Sequence, residues 1–319
     1  MKITLWQQIL CAGGLVAGYT ANAGPLQRSD VPATPAWVLH VDLDGLRTST
    51  VGQYVLAQTD KPEVQAKLAV FQNMAGLDLR KGLHGLTLYG RSSAPEDGVL
   101  LVYGDLDADK LTTLARAADD SQSTTNGSRV IFNWAADGKK HAGSGSRVYA
   151  GIQGSRVIVF GQRESKVAAA MDVLDGTVAN LSSTRTFEKL GSAGAGVFVQ
   201  AAASKLDLPD ADPNAAMFKM SKQVRFELGE VDKKVSATLT LQADDEEVAQ
   251  HIASIGQGIL ALMKLNKEKP EAIKIADALS LKQDGANVVG SLSLAADEVV
   301  GFMKADAERK AKKEGDSTK

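Results

Sequence analysis

The chain has 319 residues, of which 44% are hydrophobic and 23% charged, a balance that is typical of folded globular proteins and excludes general disorder. Its formal net charge is −2, and aromatic residues make up only 5% of it. Both values argue against the basic field and the stacking surfaces of nucleic-acid-binding proteins, so no nucleic-acid partner is expected.

Residues 1–23 have the pattern of a cleavable signal peptide. Lys2 supplies a positive charge, an apolar stretch follows at 9–17, and Ala21-Asn22-Ala23 fits the small-residue cleavage rule. We predict that the mature chain begins at Gly24 and lies in the periplasm or outside the cell. Because the apolar stretch is too short and too rich in glycine to cross about 30 Å of hydrocarbon, no membrane span is expected after cleavage.

Cys11 is the only cysteine and falls inside the predicted signal peptide. The residues before it, Gln8-Ile9-Leu10, do not provide the longer apolar run that precedes a lipid-modified cysteine, so lipidation is not predicted. Once Cys11 is removed, the mature chain has no thiol. This excludes disulfide bonds, a cysteine nucleophile and cysteine-ligated metals.

The first half of the mature chain is predicted to be one α+β repeat, 37–176, preceded by a proline-containing linker at 24–36. Residues 119–128 are polar and are predicted to be a loop. In chain order the predicted elements are a strand at 37–41, a helix opened by Asp42 or Asp44, a helix from Pro62, a hairpin of 85–91 and 99–105, a helix capped by Asp107, strands at 130–132, 147–150 and 156–160, and a helix at 164–174.

The second half repeats this order after a connection at 177–195, and we expect a second α+β repeat at 196–312 with a disordered tail at 313–319. The predicted elements are a strand at 197–199, a helix from Pro213 capped by Asp212, a hairpin of 224–230 and 235–242, a long helix capped by Asp244, a helix at 271–278, a hairpin around Asp284-Gly285, and a last helix led by Asp297.

The fold class that follows is α+β, with two similar halves, each a mainly antiparallel sheet with helices packed on one face. The order of elements, rather than residue identity, indicates a divergent internal duplication. Whether the two sheets join into one is left open by the sequence.

Closely spaced aspartates are the most noticeable polar motif: Asp42 and Asp44, then Asp105, Asp107 and Asp109. Alternating carboxylates can bind calcium, but an EF-hand loop counted from Asp105 would need glycine at 110 and glutamate at 116, where lysine and arginine stand. The favoured interpretation is that each aspartate ends a strand and caps the next helix. The alternative is a hydrolase whose carboxylates come together from distant positions.

The other candidate motifs lack the context that their chemistry needs. The glycine-rich runs 143–145 and 191–196 lead into strands rather than helices, so they do not predict a phosphate loop. The histidines His40, His84, His141 and His251 are too dispersed to predict a zinc site, and no serine elbow is present. We therefore predict no catalytic residue, no metal and no cofactor.

Small residues in the long helix of the second half, Ala249, Ala253, Gly256 and Gly258, allow another element to approach closely. The favoured explanation is a tight contact within the chain, and self-association through this helix is the alternative.

The run 41–53, the strand 86–90 and the segment 157–176 together resemble uncharacterised exported bacterial proteins. The resemblance implies a cell-envelope or secreted protein and supplies no catalytic residue. The predicted function is that of a non-catalytic exported protein that binds a partner or serves a structural role; the alternatives are the dispersed-carboxylate hydrolase and an oligomeric interaction module.

Overall fold

The computed structural model describes residues 26–127, 129–136, 147–204, 215–265 and 270–316. The predicted signal peptide at 1–23, its cleavage site before Gly24, Cys11, the glycine run at 143–145 and His141 lie outside these ranges. The same holds for Asp212 and Pro213, which were predicted to open a helix.

The described chain contains twelve strands and nine α-helices. The strands are β1 (Trp37–Asp42), β2 (Leu83–Gly90), β3 (Val99–Gly104), β4 (Gln122–Asn126), β5 (Arg129–Ala135), β6 (Arg147–Gln153), β7 (Val157–Gly161), β8 (Val197–Ser204), β9 (Gln223–Val231), β10 (Lys234–Gln242), β11 (Leu279–Asp284) and β12 (Asn287–Ala295). The helices are α1 (Leu43–Thr48), α2 (Thr50–Ala57), α3 (Pro62–Ala75), α4 (Ala108–Ala117), α5 (Glu164–Leu174), α6 (Ala215–Lys219), α7 (Glu246–Leu265), α8 (Pro270–Ala278) and α9 (Ala296–Asp316).

All twelve strands belong to one antiparallel sheet, in the order β11-β12-β10-β9-β8-β1-β2-β3-β7-β6-β5-β4. The α+β class predicted from the sequence is therefore confirmed. The halves are joined at the centre of the sheet, where β1 pairs with β8 and Leu39 lies opposite Ala201. This settles the question that the sequence left open, because the two predicted sheets form a single one.

Both faces of the sheet are covered around β3 and β7. One face, here called the Leu101 face, carries Leu101, Val157 and Val159 and packs against α5. The opposite Leu100 face carries Leu100 and Ile158 and lies under α3 and α4. Helices on a single face were expected for this half, and that expectation was wrong. The cause is visible in β3 and β7, which are continuous apolar runs, as strands buried on both faces are.

The second half follows the predicted one-sided arrangement. On the Leu100 face, Val224, Leu241 and Val288 pack with Ile252 of α7 in a single apolar cluster. The strands there alternate apolar and polar residues, which is the pattern of a sheet with one wet side. The other face carries exposed serines at Ser236, Ser280, Ser291 and Ser293.

Three segments differ from their sequence predictions. Residues 122–126, expected in a loop, form β4 and pair with β5 as an edge strand. In the stretch predicted as a linker, Leu26 and Val31 are buried in the core on the Leu101 face. The last helix continues to Asp316, so the first residues of the predicted tail are helical, while 317–319 lie outside the described ranges.

Arg28 explains why the stretch before β1 is held against the sheet. Its guanidinium donates hydrogen bonds to backbone carbonyls of the connection between α5 and β8, at Leu181 (2.8 Å), Thr184 and Thr186 (3.1 Å each) and Leu190 (3.2 Å), and also to Phe187. Neither the prolines nor the apolar periodicity of the sequence predicts this contact, because it is made by a single polar side chain.

Candidate functional site

The Leu100 face borders a cavity of about 970 Å³. Its floor is formed by side chains of β2, β3, β5, β6 and β7, and its walls come from α2, α3, α9 and the segment between α3 and β2. The lining residues from the sheet include Leu83, Leu100, Val102, Trp134, Val148, Ile158 and Phe160; those from the walls include Tyr54, Val55, Leu68, Phe71, Leu77, Leu79 and Met303.

The cavity exists because α3 covers the sheet without packing closely on it. Val64, Leu68 and Phe71 of α3 line the cavity, and only Ala75 in this helix is fully buried. On the opposite face α5 buries Val167, Ala170, Met171 and Val173. Gly151 allows that close approach, because a Cβ there would lie 2.5 Å from the sulfur of Met171.

The second half of the chain supplies one wall of a cavity that otherwise belongs to the first half. Met303, Asp306, Ala307 and Lys310 of α9 all line it. The ammonium of Lys304 lies 5.6 Å from the centre of the Tyr54 ring on α2, a cation–π contact that joins the two helices. Partly exposed ion pairs, Arg309–Glu271 at 3.0 Å and Lys274–Glu298 at 2.9 Å, join α9 to α8.

Among the lining residues that the structure describes, three are charged, and each is at least partly exposed to solvent. Lys67, Asp306 and Lys310 are the charged members, and both lysines are exposed to solvent. The floor is aliphatic and aromatic. Since moving an unpaired charge into such surroundings is strongly unfavourable, the cavity is suited to an apolar molecule and not to an ion or a polar metabolite.

The predicted capping role holds for two of the aspartates. The carboxylate of Asp42 accepts a hydrogen bond from Gly45 N at 2.9 Å, and that of Asp107 accepts one from Lys110 N at 3.0 Å. Burial raises the pKa of the Asp42 carboxyl, although the Gly45 N–H opposes the shift. In the second half the capping residue of α7 is Asp245, which accepts from Val248 N at 2.8 Å, so the prediction of Asp244 was one residue early.

Asp44 and Asp105 do something else, and here the capping prediction was wrong. They lie on opposite sides of the buried His84 imidazole, with His84 Nδ1 3.0 Å from Asp44 Oδ2 and His84 Nε2 3.2 Å from Asp105 Oδ1. Asp44 also pairs with Arg47 at 2.6 Å, and Arg47 donates to the carbonyl of Leu83 at 2.5 Å. This cluster fixes the start of β2 beside the cavity residue Leu83.

The structure places two of the other histidines that the sequence analysis considered, His40 and His251. His40 is buried, with Nδ1 2.9 Å from the Thr87 hydroxyl, and His251 is exposed on α7. Within the described ranges, no group of three or more His, Cys, Asp or Glu side chains is placed to hold a metal ion. The glycine run at 191–196 leads directly into β8, so it lacks the helix of a phosphate loop.

The small residues of α7 pack within the chain. Ala249 and Ala253 are buried, and a Cβ at Gly256 would lie 2.8 Å from Leu281 of β11. Gly258 faces open space.

In the ranges that the structure covers, no helix combines the length and the apolar character needed to cross a bilayer.

No protein-family model matches the chain, and neither does any curated protein. The chain is similar to TP0453, a bacterial protein from Treponema whose function is unknown. Its crystal form III aligns with a TM-score of 0.49 at 11% identity, over 90% of this chain and 100% of that one. Crystal form I gives a TM-score of 0.47 at 11% identity, over 89% of this chain and 98% of TP0453.

Proposed function

We propose that this protein is an exported, non-catalytic binding protein whose ligand is an apolar small molecule held in the cavity on the Leu100 face. The observation that carries the proposal is the cavity itself, about 970 Å³ in volume and lined mainly by aliphatic and aromatic side chains. Ligand sites in proteins span roughly 300–1,000 Å³ and are mostly apolar, so this cavity is of ligand-binding size.

The energetics favour a long aliphatic chain as the occupant. Each methylene moved from water into an apolar site contributes about 0.8 kcal/mol, so a dodecyl chain gains roughly 9 kcal/mol. Lost translational and rotational freedom costs at least about 4 kcal/mol. The difference leaves measurable affinity without any specific polar contact.

The predicted signal peptide at 1–23 supports the exported part of the proposal. A molecule with a long apolar chain is poorly soluble in the aqueous space outside the cytoplasm. A cavity that removes such a chain from water is therefore a useful device in that compartment.

Two matched substitutions on α3 test the proposal. Leu68 lines the cavity, whereas Val70 on the same helix is 59% exposed. We expect Leu68→Trp to fill part of the cavity and lower affinity for 1-dodecanol tenfold or more, and Val70→Trp to leave it near wild type. Binding is followed by displacement of the neutral fluorescent probe N-phenyl-1-naphthylamine. A wild-type protein that binds neither compound, or an L68W variant that binds as wild type does, contradicts the proposal.

A further inference from the structure

The mouth of the cavity is defined by residues that line it and are also exposed. They are Gln58 directly after α2, Lys67 on α3, and Ala307 and Lys310 on α9. The opening therefore lies among these three helices, and both exposed charged groups at it are lysines. Long lysine side chains can extend their methylenes along an apolar wall and keep the ammonium in water.

The charges at this mouth do not cancel. Lys310 pairs with Asp306 at 2.7 Å, and Asp306 also lies 3.9 Å from Arg309, so the one lining carboxylate is already neutralised by its own helix. Lys67 forms no ion pair with any carboxylate in the described part of the chain. Glu63, one turn earlier on α3, is exposed and does not line the cavity.

We infer that the ligand is an anionic amphiphile, with its aliphatic chain in the cavity and its acidic head group at the mouth beside Lys67 and Lys310. This inference rests on the proposed function and adds the chemical class of the head group. The apolar floor accepts only the chain, so a charged head must stay at the mouth. Among the lining residues that the structure describes, the mouth carries one excess positive charge, which favours a carboxylate or phosphate over a neutral or cationic group.

The test compares four ligands that share a dodecyl chain: dodecanoate, dodecyl phosphate, 1-dodecanol and dodecyltrimethylammonium. Each displaces N-phenyl-1-naphthylamine from the purified protein at low ionic strength. Exposed ion pairs contribute about 0.2–1 kcal/mol, so we expect at least one of the two anions to bind about two- to tenfold more tightly than the alcohol, and the cation to bind more weakly. Half-molar salt should remove most of the difference.

Substitutions of the two lysines test whether the preference for anionic ligands arises at the mouth of the cavity. Lys67→Gln combined with Lys310→Gln should bring the affinity for the anion down to the affinity that the same double variant has for dodecanol. Lys61→Gln is the matched control, because Lys61 precedes α3, is exposed and does not line the cavity. It should keep the full anion preference.

The possible failures are distinguishable. If no dodecyl compound binds, the proposed function itself is wrong. If dodecanol binds as tightly as both anions, or if the preference survives the double lysine substitution, the cavity binds apolar chains and the head-group inference is overturned. Preference for dodecanoate identifies a carboxylate ligand and preference for dodecyl phosphate a phosphate ester; either one supports the inference.

Discussion

At the scale of single residues, the closely spaced aspartates of the first half have two different roles. Asp42 and Asp107 accept backbone N–H groups at helix starts, which is the role that short polar residues before a helix usually have. Asp44 and Asp105 instead face the imidazole of His84 from two sides. Aspartates with the same spacing thus make a helix cap within a few residues in one case and a contact with a residue far away in the sequence in the other.

Substitutions of Asp42 should separate the effect of its helix-capping hydrogen bond on stability from the effect of its negative charge. Burial raises the pKa of this carboxyl, so the folded state binds the proton more tightly than the unfolded state does. Stability contributed at this site therefore falls as the pH rises from below about 3.8, the ordinary pKa, through the raised value. Asp42→Asn keeps a good cap without the charge, whereas Asp42→Ala loses the cap.

We expect Asp42→Asn to be at least as stable as wild type at pH 7 and to lose that advantage near pH 3, where the wild-type carboxyl is protonated. Asp42→Ala should cost about 1 kcal/mol near pH 3 and less at pH 7, because the wild-type site loses stability as its carboxyl ionises whereas position 42 does not titrate in either variant. Urea unfolding at the two pH values measures both effects. An Asn variant that is less stable than wild type at pH 7 would show that the ionised carboxylate stabilises the fold.

Residue-level patterns in the sequence locate the caps but not the His84 cluster. A helix cap is a local contact: Asp107 accepts a hydrogen bond from the N–H of Lys110, three residues further along the chain. Asp44 and His84 are forty residues apart, and only the pairing of β1 with β2 brings them together. Spacing along the chain therefore carried no signal for this contact.

At the scale of elements, the helices α2, α3 and α9 all border the cavity. The apolar stripe of Val64, Leu68 and Phe71 was sufficient to predict α3 as a helix, and Pro62 marks its first residue as expected. Periodicity shows which side of a helix is apolar. It does not show whether the surface opposite fills the gap, and for this reason the cavity could not be predicted.

The role of α9 as a cavity wall could not be predicted either, because the C-terminal part of this helix is polar. Its charged composition predicted an end near residue 312 and a disordered tail, but the helix runs to Asp316. Met303 and Ala307 are few apolar residues for a cavity wall. Ion pairs within α9, such as Lys310–Asp306, stabilise the part of the helix that follows these apolar residues.

Shortening α9 tests its contribution. A chain that ends at Lys304 lacks the lining residues Asp306, Ala307 and Lys310, whereas a chain that ends at Lys312 keeps them all. Because Ala307, Glu308 and Arg309 are exposed, we expect the shorter chain to remain folded by circular dichroism. It should bind 1-dodecanol about fivefold more weakly, corresponding to about 1 kcal/mol of lost apolar contact.

The chain ending at Lys312 is the control and should bind as the full chain does. Equal dodecanol affinity in both shortened chains would mean that α9 is not a wall of the occupied site.

At the scale of the whole molecule, the two halves share a strand order and differ in where the last helix goes. Outward from the central β1–β8 pair, the first five strands are β1-β2-β3-β7-β6 in the first half and β8-β9-β10-β12-β11 in the second, and the first half continues with β5 and β4. This correspondence is what the order of elements in the sequence indicated; the duplication itself stays a prediction. After β7, α5 packs on the Leu101 face, but after β12, α9 lies on the Leu100 face.

That difference has a consequence for the site. With α9 on the Leu100 face, the opposite face of the second half carries exposed serines in the part of the chain that the structure describes, while the cavity of the first half gains a further wall. The site therefore belongs to the whole chain, although its floor lies entirely in the first half. The first half alone would lack the wall formed by Met303, Asp306, Ala307 and Lys310.

The most direct measurement of the central claim is the affinity of the purified protein for a series of straight-chain alcohols from hexanol to hexadecanol. If the chain enters the cavity, each added methylene should tighten binding by up to about fourfold, from about 0.8 kcal/mol per methylene, until the cavity is full and the affinity stops rising. Affinity that does not depend on chain length, or the same dependence in Leu68→Trp, would contradict the account.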